Sequence, residues 1–413
     1  MRPSGGVLAI IGSGETSPTM VTVHRTLRPD AQPAVVLQTP YAFQENVDTV
    51  SERTRGYFAH RVGLDVAVHD GTATDAPVVR TAEWVFAGPG SPSYALDRWR
   101  GAVAEALRDR ITAAHGVTVF ASAAAATLGV VALPVYEIYK AGADPHWLAG
   151  LDVLSRIGLT VAVIPHYDNA EGQTHDTRYC YLGQRRLEVL EAMLPGDAAV
   201  LGVDEHTAVI IDLRAATVRV TGRGGLTVRR GGISTVLPAG TVTGLRDLRE
   251  LVEHVRPIAA PQPQPQPQPG RTEVPAAESR SLPELITTAQ DAFAAAAERG
   301  DGPAMASAVL DLDATVQDWA TDLDEDQGPE QARAVVRTLI ARLGDAVAST
   351  SAREQLHATL DAVLALRADW RNEGSYAEAD RLRAALLDAG LRVNDTPDGT
   401  RWSARPYGSV RAL

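Results

Sequence analysis

The pattern of apolar positions changes at one place along the 413 residues, the run PQPQPQPQPG at 261–270. Before this run, short apolar segments rich in Val and Ile alternate with segments whose apolar residues recur at helical spacing. Such alternation is typical of a mostly parallel sheet covered by helices on both faces. The predicted strands are 7–11, 34–38, 66–69, 84–87, 117–121, 160–164 and 199–202. The predicted helices lie near 17–27, 42–60, 92–113, 123–132 and 181–193.

Beyond Glu205 the apolar runs become shorter and are separated by glycine turns, a pattern that predicts an antiparallel meander at one edge of the sheet. A predicted helix near 245–254 ends this part of the chain. The run at 261–270 follows it and predicts an extended polyproline spacer that cannot contribute to a core.

After the spacer, alanine is abundant and apolar residues recur at helical spacing, which predicts helices followed by a short terminal hairpin. The predicted helices are 282–299, 303–323, 329–348, 352–372 and 376–389. The sequence therefore predicts three parts: an α/β domain over 1–256, a Pro/Gln-rich linker over 257–280 and a separate all-α domain over 281–413.

The net charge of −12 is unevenly distributed, with −2 over residues 1–271 and −10 over 272–413. Because nucleic-acid affinity depends on Lys and Arg that neutralise phosphates, the acidic tail argues against non-specific nucleic-acid binding. The single cysteine, Cys180, excludes an intramolecular disulfide, and no run approaches the ~20 apolar residues of a membrane span. We expect a soluble cytoplasmic protein that does not bind membranes. Lys140 is the only lysine, which we attribute to a composition bias.

The first candidate for chemistry is Ser122, in the segment VTVFASAAAATLG at 117–129. A buried strand here leads directly into a helix start made of small residues, so the hydroxyl is expected at the carboxyl end of the sheet, as in a nucleophile elbow. Backbone amides near Gly90 and Ala123 are predicted to hold an oxyanion. The alternative is that Ser122 is an ordinary helix N-cap.

Two further candidates complete a hydrolytic triad. His166 follows a predicted strand, at the same sheet edge as Ser122, and imidazole is suited to act as a general base there. Glu205 follows the next strand and supplies the carboxylate that orients such an imidazole, with Asp204 as the alternative acid. A metal site is a further alternative for the His and Asp side chains of this region: His166, Asp168, His175 and Asp176.

Together these residues resemble the cyanophycinase and dipeptidase E family of serine peptidases, within the class I glutamine-amidotransferase-like fold. The resemblance covers about residues 5–215, and the motifs that carry it are Gly12-Ser13-Gly14-Glu15, the turn at 88–91, Ser122, Pro165-His166-Tyr167 and the segment GVDEHTA at 202–208. It implies a flavodoxin-like three-layer sandwich and hydrolysis of an amide bond without a metal or organic cofactor. It also implies substrates with acidic groups, for which the candidate binding residues are Glu15, Asp168, Arg178, Arg185 and Arg186.

The elbow departs from the family pattern G-x-S-x-G, because Phe120 and Ala124 occupy the two glycine positions. This departure favours, as the alternative, a non-catalytic binding protein built on a degenerate hydrolase domain. Serine in place of the cysteine of true glutamine amidotransferases argues against a glutaminase.

Residues 282–405 resemble a different family, the C-terminal helical region of cysteinyl-tRNA synthetase, where the chain passes along tRNA. The motifs are YAEADRLR at 376–383 and LRVNDTPDGTRW at 391–402, while the synthetase's nucleotide-binding signatures are absent from the sequence. The resemblance implies RNA contact through four arginines: Arg381, Arg383, Arg392 and Arg401. The charge of −10 favours the alternative, a helical module for dimerisation or substrate positioning.

The sequence as a whole predicts a hydrolase that cleaves a peptide, isopeptide or aminoacyl bond next to an acidic residue. The expected partners are a small acidic peptide or aminoacyl conjugate, tRNA at the C-terminal domain, and a second copy of the chain in a homodimer. The alternative function is ligand or tRNA binding without catalysis.

Overall fold

The computed structural model describes residues 6–29, 32–172, 175–255, 280–319, 328–388, 391–396 and 399–404. Contacts between Cα atoms divide the chain into two compact units. The first unit combines Met1–Ile286 with Leu312–Arg333, and the second combines Thr287–Asp311 with Ala334–Leu413. The predicted linker lies, except for Arg280, outside the described residues, so the domain boundaries drawn from the sequence stay a prediction.

The strands of the first unit are β1 (Val7–Ile11), β2 (Ala34–Leu37), β3 (Ala67–His69), β4 (Trp84–Ala87), β5 (Val117–Ala121), β6 (Val131–Ala132), β7 (Leu148–Ala149), β8 (Val161–Ile164), β9 (Ala199–Val203), β10 (Thr207–Asp212), β11 (Thr217–Gly222), β12 (Gly225–Arg230), β13 (Ile233–Pro238) and β14 (Val242–Gly244). Its helices before the linker are α1 (Val21–Leu27), α2 (Val47–Tyr57), α3 (Ala76–Thr81), α4 (Pro92–Trp99), α5 (Ala102–Thr112), α6 (Ser122–Ala126), α7 (Val135–Tyr139), α8 (Gly183–Ala192) and α9 (Leu245–Glu253). Short 3₁₀ or π turns occupy Pro18–Met20, Thr39–Tyr41, Phe58–Val62, Ala73–Asp75 and Leu154–Ile157.

The strands form two hydrogen-bonded sheets. One has the order β14-β11-β10-β1-β5-β4-β2-β3 and the other the order β13-β12-β9-β8-β6-β7. Strands β1, β5, β4, β2 and β3 run parallel, as do β8 and β9, while β10 joins β1 in the antiparallel sense. The parallel strands of the first sheet therefore end at one of its edges, and β8 and β9 end together at one edge of the second sheet.

The predicted meander is present, but it is divided between the two sheets and does not lie at one edge. Strands β10, β11 and β14 extend the first sheet, whereas β12 pairs with β9 of the second. The chain changes sheet just after Gly222, whose φ of +119° is a conformation that favours glycine. Gly224 then passes against Asp204, where an added Cβ would lie 2.4 Å from the aspartate Cβ.

Both faces of the first sheet are buried, and by different sets of side chains. On β1, Leu8 and Ile10 belong to a cluster that includes Trp99 of α4, while Ala9 belongs to a second cluster that includes Phe58. Alternate residues of a strand point to opposite faces, so helices cover the sheet on both sides. This arrangement confirms the predicted α/β three-layer sandwich.

Two predicted helices are shorter than the sequence pattern indicated. The segment 92–113 is interrupted at Gly101, which has a φ of +84° and separates α4 from α5. The segment 123–132 contains only the five-residue α6, after which the chain turns to form β6. Gly129 allows this turn because its backbone lies against β8, where an added Cβ would be 2.2 Å from the Val161 carbonyl oxygen.

The remaining elements are α10 (Leu282–Glu298), α11 (Gly302–Trp319), α12 (Gly328–Asn372), α13 (Tyr376–Asp388), β15 (Leu391–Thr396) and β16 (Gly399–Ala404). Helix α12 runs through 45 residues and joins two segments predicted as separate helices, because the intervening Ser and Thr residues do not break a helix as Pro does. Strands β15 and β16 form the predicted antiparallel hairpin. None of the helices in the described ranges is long and apolar enough to cross a membrane.

Candidate active site

Ser122 stands at the junction of β5 and α6, in a strained backbone conformation. Its φ is +46°, in the left-handed region that residues with a side chain avoid. The flanking Ala121 and Ala123 are buried, so only small side chains fit around this turn. Backbone strain of this kind costs on the order of 1–3 kcal/mol and persists only where the surrounding fold imposes it. The hydroxyl of Ser122 is therefore carried by a strained turn from strand to helix.

The hydroxyl of Ser122 and the carboxylate of Glu205 contact opposite nitrogens of one imidazole. Ser122 Oγ lies 2.9 Å from His166 Nε2, and His166 Nδ1 lies 3.0 Å from Glu205 Oε1. An ionised carboxylate can only accept, so Nδ1 carries the proton and donates it to Glu205. Nε2 is then the acceptor for the Ser122 hydroxyl, which is the tautomer that a general base requires.

The carboxylate of Glu205 is itself held by neighbouring groups. Burial alone would raise the pKa of Glu205, but hydrogen bonds from His166 and Asn169 outweigh it, so the pKa lies below its usual value. Asn169 Nδ2 donates to Glu205 Oε1 at 2.9 Å. Asp168 Oδ1 accepts a hydrogen bond from the Glu205 amide at 2.7 Å, which fixes the backbone. Asn169, a residue absent from the sequence-based site, is fully buried beside the acid.

The three groups come from different parts of the two sheets. Ser122 follows β5 of the first sheet, whereas His166 follows β8 of the second. Glu205 lies in the connection between β9 and β10, where the chain passes from the second sheet to the first. The alternative acid, Asp204, accepts a hydrogen bond from the Gly225 amide at 2.7 Å, and burial raises its pKa to about 6. Glu205 is thus the acid that contacts the imidazole.

The two residues whose amides were predicted to hold an oxyanion, Gly90 and Ala123, line the same cavity as Ser122. Gly90 has a φ of +133°, and an added Cβ would lie 2.0 Å from the Pro40 carbonyl oxygen, so only glycine fits there. Ala123 is the second residue of α6, and amides in the first turn of a helix have no acceptor within that helix. Gly90, Ala123 and Ser122 all line one cavity.

The two departures from the glycine pattern of the elbow do not distort the turn. The Phe120 side chain is fully buried and packs on Trp99, with ring centroids 5.5 Å apart, on the core side of the strand. Ala124 donates its amide to the Gly88 carbonyl oxygen at 3.2 Å. Larger side chains at these two positions are therefore accommodated by the core, and Ser122 keeps its left-handed conformation.

The cavity above Ser122 has a volume of about 350 Å³, within the range of small-molecule sites. Its wall is rich in tyrosine and includes Tyr136, Tyr139 and Tyr181. Two basic side chains, Arg53 and Lys140, also line it, and neither was among the candidates from the sequence. The cavity can hold a ligand of dipeptide size with both apolar and charged groups.

The residues predicted to bind substrate are not among the described residues that line this cavity, although one of them, Asp168, contacts Glu205. Glu15 is fully buried, and its carboxylate lies beside Gly88, where an added Cβ would be 3.1 Å from Oε1. Arg178 donates twice to Asp176, at 2.8 Å each, which raises the pKa of Arg178 and lowers that of the aspartate. Arg185 and Arg186 are exposed on α8. In the described part of the chain, the cavity lining includes none of these arginines.

The side chains of the alternative metal site have separate partners. His166 and Asp168 belong to the hydrogen-bond network around Glu205, Asp176 pairs with its neighbouring arginine, and His175 stacks on Tyr139. Over the described residues, no group of three or more His, Cys, Asp or Glu is arranged to hold a metal ion. Cys180 is buried, and burial raises the pKa of its thiol well above the usual value.

The arginines predicted for RNA contact lie on three elements, with Arg381 and Arg383 on α13, Arg392 on β15 and Arg401 on β16. Arg381 donates to Glu378 at 2.9 Å, and Arg383 and Arg392 are exposed. The side chain of Arg401 falls outside the described residues.

No protein-family model matches the chain. A stretch of 163 residues is 29% identical to the cysteine–tRNA ligase of Symbiobacterium thermophilum, covering 38% of this chain and 33% of the ligase. The chain spans about a third or less of the length of the curated relatives it matches, which share the name cysteine–tRNA ligase. The resemblance to cysteinyl-tRNA synthetase predicted from the sequence is thereby confirmed.

The structure is also similar to that of a peptidase from an acI-B1 Actinobacterium, with a TM-score of 0.47 and 19% sequence identity, over 58% of this chain and 97% of the peptidase. A proposed peptidase E protein from Listeria monocytogenes EGD-e is similar with a TM-score of 0.35 and 13% identity, over 57% of this chain and 100% of that protein.

Proposed function

We propose that the α/β part of the chain is a serine hydrolase that cleaves an amide or ester bond. The observation that carries this proposal is the contact of Ser122 Oγ with His166 Nε2 at 2.9 Å, made from a left-handed serine. A serine that serves only as a helix cap does not require that conformation, since caps have extended backbone. A serine hydroxyl is activated when a base lies within hydrogen-bond reach of it and an acid lies within hydrogen-bond reach of the base.

In the proposed reaction, Ser122 Oγ attacks the substrate carbonyl while His166 Nε2 takes the hydroxyl proton. Glu205 accepts the Nδ1 hydrogen bond and stabilises the imidazolium that forms. The amides of Gly90 and Ala123 hold the oxyanion of the tetrahedral intermediate. His166 then gives its proton to the leaving amine or alcohol, and a water molecule, deprotonated by the same nitrogen, releases the acyl group from Ser122.

The proposed substrates are peptides, isopeptides or aminoacyl conjugates with an acidic residue next to the scissile bond. The cavity volume of about 350 Å³ favours a short ligand. Its wall carries two basic side chains, Arg53 and Lys140, that can contact an anionic group, beside the carboxylates of Glu171 and Glu205. Both features agree with the substrate class implied by the family resemblance of the motifs around Ser122.

Active-site labelling tests this function. The purified protein and its Ser122→Ala variant are treated with a serine-reactive fluorophosphonate, and the intact masses are compared. The expected result is one adduct on the parent and none on the variant, while the control Ser234→Ala, at an exposed serine on β13, retains the adduct. A folded parent that stays unlabelled, or an adduct that survives Ser122→Ala, contradicts the proposal and favours a ligand-binding protein without catalysis.

A second proposal concerns the C-terminal segment, which we infer to contact tRNA. The sequence identity with cysteine–tRNA ligases supports it, and Arg383 and Arg392 are exposed as such contact requires. The test is a filter-binding titration of the full chain with bulk tRNA. The double variant Arg383→Glu and Arg392→Glu is expected to bind at least about tenfold more weakly, with a shallower salt dependence. Equal binding by the parent and the double variant contradicts it and favours a module for dimerisation.

A further inference from the structure

The only lysine of the chain stands at the cavity of the candidate active site. The sequence contains 39 basic residues, of which Lys140 alone is lysine. Lys140 is the exposed C-cap of α7, and its ammonium lies 4.6 Å from the ring centroid of Tyr136. Both side chains line the cavity that contains Ser122. A composition bias explains why lysine is rare, but it does not explain why the lysine that is kept lies here.

The charges around the cavity leave Lys140 available to a ligand. The lining carboxylates have protein partners, since Glu205 accepts from His166 and Glu171 accepts from the Tyr181 hydroxyl at 2.9 Å. The Lys140 ammonium forms no ion pair with any residue that the structure describes. It lies over the face of the Tyr136 ring in a cation–π contact. That contact draws the cation toward the ring and restricts where the flexible side chain points.

We propose that Lys140 binds a carboxylate of the substrate and determines the preference for acidic peptides. This inference rests on the proposed hydrolase function, because it assigns a binding role within the same cavity. An ammonium is a compact charge with three rotatable donors, whereas a guanidinium presents a wide planar fork. The compact group suits a carboxylate that enters a cavity of about 350 Å³ beside Tyr136.

The test measures ligand binding to the Ser122→Ala variant, which cannot cleave by the proposed route. Isothermal titration calorimetry compares the dipeptides Asp-Leu and Asn-Leu, which differ by a carboxylate in place of an amide. We expect Asp-Leu to bind at least about tenfold more tightly, as a charge-assisted contact does. Adding Lys140→Met is expected to remove this preference, whereas the control Arg100→Met, at an exposed arginine outside the cavity lining, keeps it.

Chemical rescue separates the charge of Lys140 from its packing. In a Lys140→Cys variant, alkylation with bromoethylamine restores an ammonium at nearly the original distance from the backbone. The native Cys180 is buried and its thiol pKa is raised, so the new cysteine is the reactive one. Alkylation is expected to recover most of the tenfold preference for Asp-Leu.

The inference is overturned if Asp-Leu and Asn-Leu bind with the same affinity, or if the preference for Asp-Leu survives Lys140→Met. It is also overturned if Arg53→Met, and not Lys140→Met, removes that preference. Fluorophosphonate labelling of Lys140→Met distinguishes this failure from failure of the hydrolase proposal. If Ser122 is labelled but the protein does not prefer Asp-Leu, only the role of Lys140 is contradicted. An unlabelled Ser122 in every variant removes the proposed hydrolase function.

Discussion

Replacing Ser122 by glycine and, separately, by alanine distinguishes the strain of the elbow from the chemistry of its hydroxyl. Both variants lose the 2.9 Å contact with His166, so this loss cancels in the comparison. Only glycine adopts a φ of +46° without a steric penalty, which for other residues is about 1–2 kcal/mol. The greater unfolded-state entropy of glycine offsets about 0.5–1 kcal/mol of this gain. We therefore expect Ser122→Gly to be more stable than Ser122→Ala by about 1 kcal/mol.

Urea denaturation followed by circular dichroism measures this difference, and it corresponds to a shift of about 1–2 °C in a thermal melt. Ala216→Gly is the matched control, because Ala216 has a φ of +51° in an exposed turn between β10 and β11. That variant should gain about the same stability over the parent. The strain argument is refuted if Ala216→Gly stabilises the protein while Ser122→Gly is no more stable than Ser122→Ala.

Three further predictions concern the acid and a buried histidine. Glu205→Gln should slow fluorophosphonate labelling of Ser122 by about 10³–10⁴-fold with an unchanged circular dichroism spectrum, and a rate within tenfold of the parent would remove Glu205 from the triad. Asn169→Ala should slow the same labelling by roughly tenfold, because Glu205 loses a hydrogen bond that holds it; an unchanged rate contradicts this positioning role. Burial lowers the pKa of His24 to about 4 against an ordinary 6.5, so its contribution to stability is complete above pH 6.5 and is lost as the pH falls to 4. Between pH 7 and pH 4, urea denaturation should show a loss larger by about 3 kcal/mol in the parent than in His24→Leu, and equal losses would refute it.

The central strands could be predicted from the sequence because each is a continuous apolar run. Strands β1, β4 and β5 have the predicted bounds. Because both faces of these strands are buried, almost every residue in them is apolar. The two-residue strands β6 and β7 are too short to leave a pattern. The division of the meander between two sheets depends on long-range pairing of β12 with β9, which local hydrophobic spacing does not encode.

The candidate site was predictable where a residue directly follows a strand. Ser122, His166 and Glu205 each follow a strand end, and the carboxyl ends of β5, β8 and β9 meet at the junction of the two sheets. Asn169 lies in the turn after His166, three residues on, and was overlooked there. Lys140 reaches the cavity from the end of the short helix α7, and no spacing relates it to the proposed triad. Arg178 stays a prediction as a substrate-binding residue, and Asp176, two residues earlier, is the local signal for the ion pair that it forms.

The junction between the two sheets has a consequence for how this protein would lose its proposed activity. Nucleophile and base belong to different sheets, and the acid occupies the crossing between them. A small slip of one sheet against the other would separate Ser122 from His166 while leaving every strand hydrogen-bonded. Inactivation by mild urea or heat should therefore precede the loss of secondary structure. Fluorophosphonate labelling of Ser122 is then expected to fall at a lower urea concentration than the circular dichroism signal.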